Sequence, residues 1–188
     1  MRKILISICV FLSFVYSIEK ESTDSTQMFS IRSLETGITL SPFRDTSKDL
    51  KDQNWVLRDL NLSKELRAKD KMADKLPFGY VQFVNPQNSD ICLAITPNGF
   101  FGGKSCSDDL KNGELETVFS LMPTTTSAVQ IRSLVLNSDE CIVTFYNPNI
   151  PIEQRFGLDF CTIDPVFFAE LSELMFLTPA LVEATPTR

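Results

Sequence analysis

The chain has 188 residues, a formal net charge of −6 at pH 7 and no histidine. The missing histidine removes Ser-His-Asp and Cys-His nucleophile systems, His-containing zinc sites and histidine-dependent nuclease chemistry. The acidic balance repels phosphate backbones and so argues against nucleic acid as a partner.

At the N-terminus, Arg2 and Lys3 precede an apolar run from Ile4 to Tyr16, and Val15-Tyr16-Ser17 ends it on a small residue. Those three parts make residues 1–17 read as a secretory signal peptide, so the chain is expected to be exported. The run is shorter than the roughly 20 apolar residues that span a bilayer. Cys9 sits inside it behind bulky Ile8, which argues against a lipid-attachment cysteine. Cleavage after Ser17 leaves the chain from Ile18 to Arg188, long enough for one sizeable core. It also removes Arg2 and Lys3, which takes the net charge from −6 to −8. Residues 18–27 are polar and are expected to be flexible.

From Phe29 onward the chain repeats itself. Ile31-Arg32-Ser33-Leu34 returns unchanged as Ile131-Arg132-Ser133-Leu134, and Val81-Gln82-Phe83 carries the same alternation between them. The anchors Ile31, Phe83 and Ile131 therefore recur at intervals of about 50 residues. A second element follows as Thr36–Leu40, Ser89–Ile95 and Ser138–Thr144. A third follows as Gln53–Leu57, Thr117–Leu121 and Pro165–Phe168, which aligns Trp55, Phe119 and Phe167. These segments are short, rich in Val, Ile, Phe and Thr, and bounded by Gly, Pro, Asn and Asp, as strands and turns are. Three units of about four short strands suit a closed structure without free edges. The fold expected is all-β, a single β-trefoil over residues 28–178, with a C-terminal tail at 179–188.

Four cysteines remain after the leader: Cys92, Cys106, Cys141 and Cys161. An even count in an exported chain reads as two disulfides, with three connectivities open. The repeat alignment sets Cys92 on Cys141, which favours Cys92–Cys106 and Cys141–Cys161, one within each of the last two units.

Outside the repeats, Leu60–Lys75 mixes Lys64, Arg67, Lys69, Lys71 and Lys75 with Glu65, Asp70 and Asp74, the pattern of a solvated face. Asp108-Asp109 reads as a turn. Phe100-Phe101, between Gly99 and Gly102, places adjacent aromatics on opposite faces of a strand. One of them is expected to be exposed and to meet a partner.

The longer segments are similar to a known family. Phe29–Gly37, Phe43–Asp49, Leu76–Phe83, Met122–Gln130, Ile142–Phe145 and Asn147–Ile152 closely resemble the C-type subunit of the cytolethal distending toxins of Gram-negative bacteria. The resemblance implies a ricin-B-like trefoil that acts as a non-catalytic binding and delivery subunit and needs no cofactor. It implies pairing with the A-type subunit, itself a trefoil, on the host-cell surface, where the ligand is a glycan, lipid or protein. The cargo it implies is a DNase I-like nuclease subunit that damages host DNA and arrests the cell cycle. It also implies a periplasmic or outer-surface location before release with the toxin. The N-terminal segment, including Glu19, Lys20 and Glu21, is expected to lie against the nuclease. The A-type subunit usually carries a lipid-attachment cysteine and an exposed aromatic cluster, and neither stands out here.

Gln53-Asn54-Trp55 is the Gln-x-Trp of ricin-type lectins, where it serves mostly in packing; units two and three lack the glutamine, which weakens a reading of three sugar pockets. Tyr80 follows Leu76 but no basic residue stands in Val81–Asn85, so the forward cholesterol-contact pattern fails. The reverse pattern, Lys75–Tyr80–Val84, fits by count and marks Tyr80 as a candidate membrane contact. A trefoil protease inhibitor, with Leu60–Lys75 as its reactive loop, and a stand-alone lectin are the competing functions.

Overall fold

The computed structural model describes residues 26–41, 53–164 and 168–182. The expected signal peptide, Glu19, Lys20 and Glu21 of the N-terminal segment, and Phe167 lie outside these residues. Among those described, the chain forms ten strands: β1 Phe29–Ser33, β2 Val56–Leu60, β3 Tyr80–Asn85, β4 Asn88–Ile95, β5 Phe101–Ser105, β6 Phe119–Pro123, β7 Val129–Ser133, β8 Glu140–Thr144, β9 Phe156–Phe160 and β10 Met175–Pro179. Two short helices interrupt them, α1 Lys64–Arg67 and α2 Cys106–Asn112.

Six strands form a closed ring. Three five-pair antiparallel ladders, β1·β10, β2·β3 and β6·β7, alternate with three single pairings. Those single pairings are Phe29↔Trp55, Val81↔Phe119 and Val129↔Met175. Phe29, Val81 and Val129 each stand two positions before a repeat anchor, so the pairings recur with the repeats. The remaining strands make hairpins, β4·β5 in unit two and β8·β9 in unit three. In unit one the described residues show the second strand as the Arg32↔Thr39 bridge. This is the threefold plan of a β-trefoil.

Alternation explains what fills the ring. Ile31, Phe83 and Ile131 point inward and are fully buried with Trp55, Phe119 and Met175. Phe83 sits 5.2 Å from Phe119 and 6.2 Å from Phe29, ring centre to ring centre, so aromatic packing joins units one and two across the core.

One expected element is displaced. The closing strand of unit three is Met175–Pro179, with Met175 in the place expected of Phe167, and Phe168 is 97% exposed. The five-pair ladder with β1 selects the later segment, a long-range constraint that the local aromatic pattern of 165–168 does not carry.

The two disulfides join Cys92 to Cys106 and Cys141 to Cys161, the pairs the repeat alignment favours. Each is backed by a glutamine on the first strand of its unit. Gln82 Nε2 donates to the Cys106 carbonyl at 3.2 Å and to Thr117 Oγ1 at 2.8 Å. Gln130 Nε2 donates to the Thr162 carbonyl at 3.0 Å, and its Oε1 accepts from Thr162 N at 3.0 Å. Buried amides thereby satisfy backbone groups where each disulfide leaves its hairpin.

Between β2 and β3 the chain makes a long insert, 61–79, whereas the corresponding link from β6 to β7 is only 124–128. The insert opens with Ser63 capping α1, its Oγ accepting from Leu66 N at 3.3 Å. Leu62 and Leu66 then pack against Tyr80, Leu115, Val118 and Leu134.

Candidate binding surface

Gln53-Asn54-Trp55 is scaffold. Trp55 is wholly buried and its indole Nε1 donates to the Leu40 carbonyl at 3.0 Å. Asn54 holds the chain after β10 by two hydrogen bonds. Its Nδ2 donates to the Leu181 carbonyl at 2.9 Å, and its Oδ1 accepts from Leu181 N at 2.8 Å. No face of the indole is left for a sugar ring to stack on, so the motif supports the trefoil and not a pocket.

Tyr80 is also a packing residue, which corrects its reading as a membrane contact. It is 8% exposed, and its hydroxyl donates to Asp70 Oδ2 at 3.0 Å. The solvated-face reading of the insert fails at Asp70, whose buried carboxylate takes a bidentate ion pair from the equally buried Arg132, at 2.8 and 2.9 Å. Burial alone would push the Asp70 carboxyl up. The Arg132 hydrogen bonds and charge, the Met72 N–H and the Tyr80 hydroxyl together hold it below the ordinary carboxylate range. Burial and the neighbouring Asp70 push the Tyr80 phenol above its usual value. Lys69 Nζ donates to the Gly113 carbonyl and Lys71 Nζ to Asn137 Oδ1, so the insert is pinned to the body at several points. A protruding reactive loop of the inhibitor kind is not what it makes.

Asp108-Asp109 forms part of α2, not a turn. Asp109 is fully buried and accepts from Glu116 N, Thr117 N and Thr117 Oγ1 at 2.7–3.1 Å. Asp109, Glu114 and Glu116 are close enough to share a cation, and the Lys104 ammonium already lies among them. Burial pulls Lys104 down, but hydrogen bonds to Glu114 and Glu116 and the charge of Asp109 outweigh it, leaving the ammonium above its usual range. The Lys104 ammonium therefore already stands where a cation would sit among this trio.

Two of the exposed aromatic side chains stand on hairpin tips. Of the adjacent pair, Phe101 turns into the core at 8% exposure, which removes it from the candidate partner contacts, while Phe100 is 55% exposed at the tip of β4·β5. The related tip of unit three carries Tyr146 at 84% exposure. That tip is held in shape: Asn147 Oδ1 accepts from Asn149 N, Arg155 Nε donates to the Ile150 carbonyl at 2.9 Å, and the guanidinium carbon lies 5.6 Å from the Tyr146 ring centre. Gly157 lets the Phe145 ring lie against β9, since a Cβ there would meet it at 3.3 Å. Phe160 and Phe168 are exposed as well. Sequence reasoning missed these third-unit aromatics. The signal that could have found them was the Asn-Pro-Asn-Ile-Pro run beside Tyr146, which marks a stiff exposed loop.

Solved structures share the fold, among them those of two toxins. The cytolethal distending toxin of Actinobacillus actinomycetemcomitans matches at TM-score 0.62 and 21% identity, over 92% of this chain and 97% of that one. The toxin of Haemophilus ducreyi matches at 0.63 and 22%, over 88% and 93%. A "BEL beta-trefoil" structure matches at 0.51 and 12%, over 80% and 91%. A search of curated proteins finds no match. The sequence profile of the cytolethal distending toxin A/C domain matches residues 28–186, which takes in all ten strands and both disulfides. The chain belongs to the cytolethal distending toxin A/C domain family.

Proposed function

We propose that this chain is the C-type subunit of a tripartite cytolethal distending toxin. In this reading it is exported by its leader, catalyses nothing, pairs with the A-type trefoil, and helps carry a DNase I-like subunit to the host-cell surface. The observation that carries the reading is the A/C family match across the whole trefoil. The segments that resemble the C-type subunit, among them Leu76–Phe83 and Asn147–Ile152, favour it over the A-type. The chain also lacks histidine, in keeping with nuclease chemistry residing in another subunit.

The surface supports binding more than chemistry. Phe100 and Tyr146 stand on rigid hairpin tips, and aromatics of that kind are enriched where proteins meet partners. The Glu19–Glu21 segment is the proposed contact with the nuclease. A stand-alone lectin is the weaker reading, because the one Gln-x-Trp is consumed in packing.

Reconstitution tests the proposal. The mature chain, an A-type subunit and the nuclease subunit are mixed, separated by size exclusion and applied to cells. The expected result is a 1:1:1 complex whose cell-cycle arrest is lost when this chain is omitted. Elution of this chain alone, with arrest unchanged by its omission, rejects the role.

A further inference from the structure

The insert between β2 and β3 builds a cleft that the rest of the trefoil lacks a reason to have. The short link 124–128 is enough at the β6–β7 junction, yet here the whole of 61–79 folds back beside the end of the ladder, where Leu60 pairs with Tyr80. It leaves an open cleft of about 230 Å³ lined by Leu60, Asn61, Arg67, Phe78, Gly79 and Tyr80 among others. The walls are fixed, because Leu62 and Leu66 are packed into a buried cluster and Asp70 is locked to Arg132.

Its chemistry is selective. Lys69 and Lys71 on the same insert are tied to Gly113 and Asn137, whereas the Arg67 side chain makes no hydrogen bond or ion pair among the described residues. No carboxylate lines the cleft, so its single charge is positive, on a chain whose net charge is −6. Phe78 offers a half-buried ring, the Asn61 amide is exposed, and no atom lies within 4 Å of where a Gly79 Cβ would stand, so a ligand can come close to the backbone there. The volume falls below the roughly 300 Å³ at which sites for drug-sized ligands begin, so one ring fits and an oligosaccharide does not.

We infer that this cleft binds the terminal ring of a carboxylated sugar, with Arg67 taking the carboxylate through its fork of donors and Phe78 meeting the apolar face of the ring. The inference deepens the surface-binding reading above and takes its biological setting from it. Binding itself is tested on this chain alone, so failure here leaves the test of complex assembly untouched.

The experiment is NMR titration of the mature chain with N-acetylneuraminic acid and, separately, with glucuronic acid, against galactose as the neutral control. The two acids distinguish sialic from uronic sources. The expected result is saturable shifts at Asn61, Phe78 and Gly79 with one or both acids and none with galactose. Arg67→Gln is expected to weaken the affinity by about tenfold or more, as loss of a charge-assisted pair does. Arg67→Lys keeps part of it, and Lys64→Gln on the same helix keeps it all. Arg67 is exposed, so each variant folds, and an unchanged melting temperature confirms it. Equal binding of galactose, affinity for the acids that survives Arg67→Gln, or no saturable shift with either acid overturns the assignment.

Discussion

Asp70 and Arg132 stand 62 positions apart in the chain and form a bidentate ion pair, at 2.8 and 2.9 Å, from which solvent is excluded on both sides. Arg132 Nη1 also donates to the Ser138 carbonyl at 2.8 Å, and Tyr80 completes the cluster through Asp70. One pair thus joins the insert, the first strand of unit two and the first strand of unit three.

Removing one partner strands the other charge in the core. Asp70→Ala is expected to lower stability by about 3–5 kcal/mol, whereas Asp70→Leu combined with Arg132→Met returns most of the loss. Urea unfolding of the two single variants and the double variant measures this. A double variant as unstable as the sum of the singles counts against the pair as described.

The same pair sets a pH limit. The Asp70 carboxyl is held below its unfolded value of 3.8, so its contribution is present above that value and is lost as pH falls through the folded pKa. Lys104 has the opposite sign: raised above 10.5, it contributes fully below that value and is lost only as pH rises past its folded pKa. The wild type is expected to lose stability steeply below about pH 4, and Asp70→Asn to flatten that limb. Thermal unfolding followed from pH 2 to 7 checks it.

Much of the trefoil is legible in the sequence because its anchors repeat. Ile31, Phe83 and Ile131 are core residues by the alternation around them, and the aligned cysteines give the pairing. What is not legible depends on distant partners. Ile31-Arg32-Ser33 and Ile131-Arg132-Ser133 are identical, yet Arg132 is wholly buried against Asp70, while Arg32 is only half-buried. Asp70 itself lies among alternating charges that look solvated until the contact with unit three is known. Met175 in place of Phe167 is settled by pairing with β1, and Tyr146 by the shape of a hairpin tip.

The adjacent phenylalanines separate folding from assembly. Phe101→Ala removes a core ring and is expected to cost about 3–5 kcal/mol. Phe100→Ala is expected to stay within about 0.5 kcal/mol of the wild type, as surface changes do. Unfolding curves give the first comparison, and co-elution of Phe100→Ala with the other subunits gives the second. Full co-elution of that variant removes Phe100 from the candidate partner contacts.

Trp55→Ala is expected to destabilise the trefoil by about 3–5 kcal/mol, through the lost core volume and the orphaned Leu40 carbonyl. A variant that keeps its melting temperature but loses binding to a sugar column contradicts the scaffold role.

Each disulfide is expected to contribute about 3 kcal/mol by restricting the unfolded chain. Paired replacement of Cys92 and Cys106 by alanine, and separately of Cys141 and Cys161, tests the two bonds one at a time by denaturant midpoint.

The β1·β10 ladder has a consequence in time. Ser30 Oγ lies 2.7 Å from Thr178 Oγ1 across 148 positions of sequence, so the first of the described strands must wait for the last. Contacts that far apart must close a large loop before they return anything, which slows folding. Unit two is different: β3, β4, β5 and β6 follow one another between Tyr80 and Pro123, and local pairing can assemble them early. Folding is therefore expected to start in unit two and spread outward, with the seam between β1 and β10 the last part to be sealed.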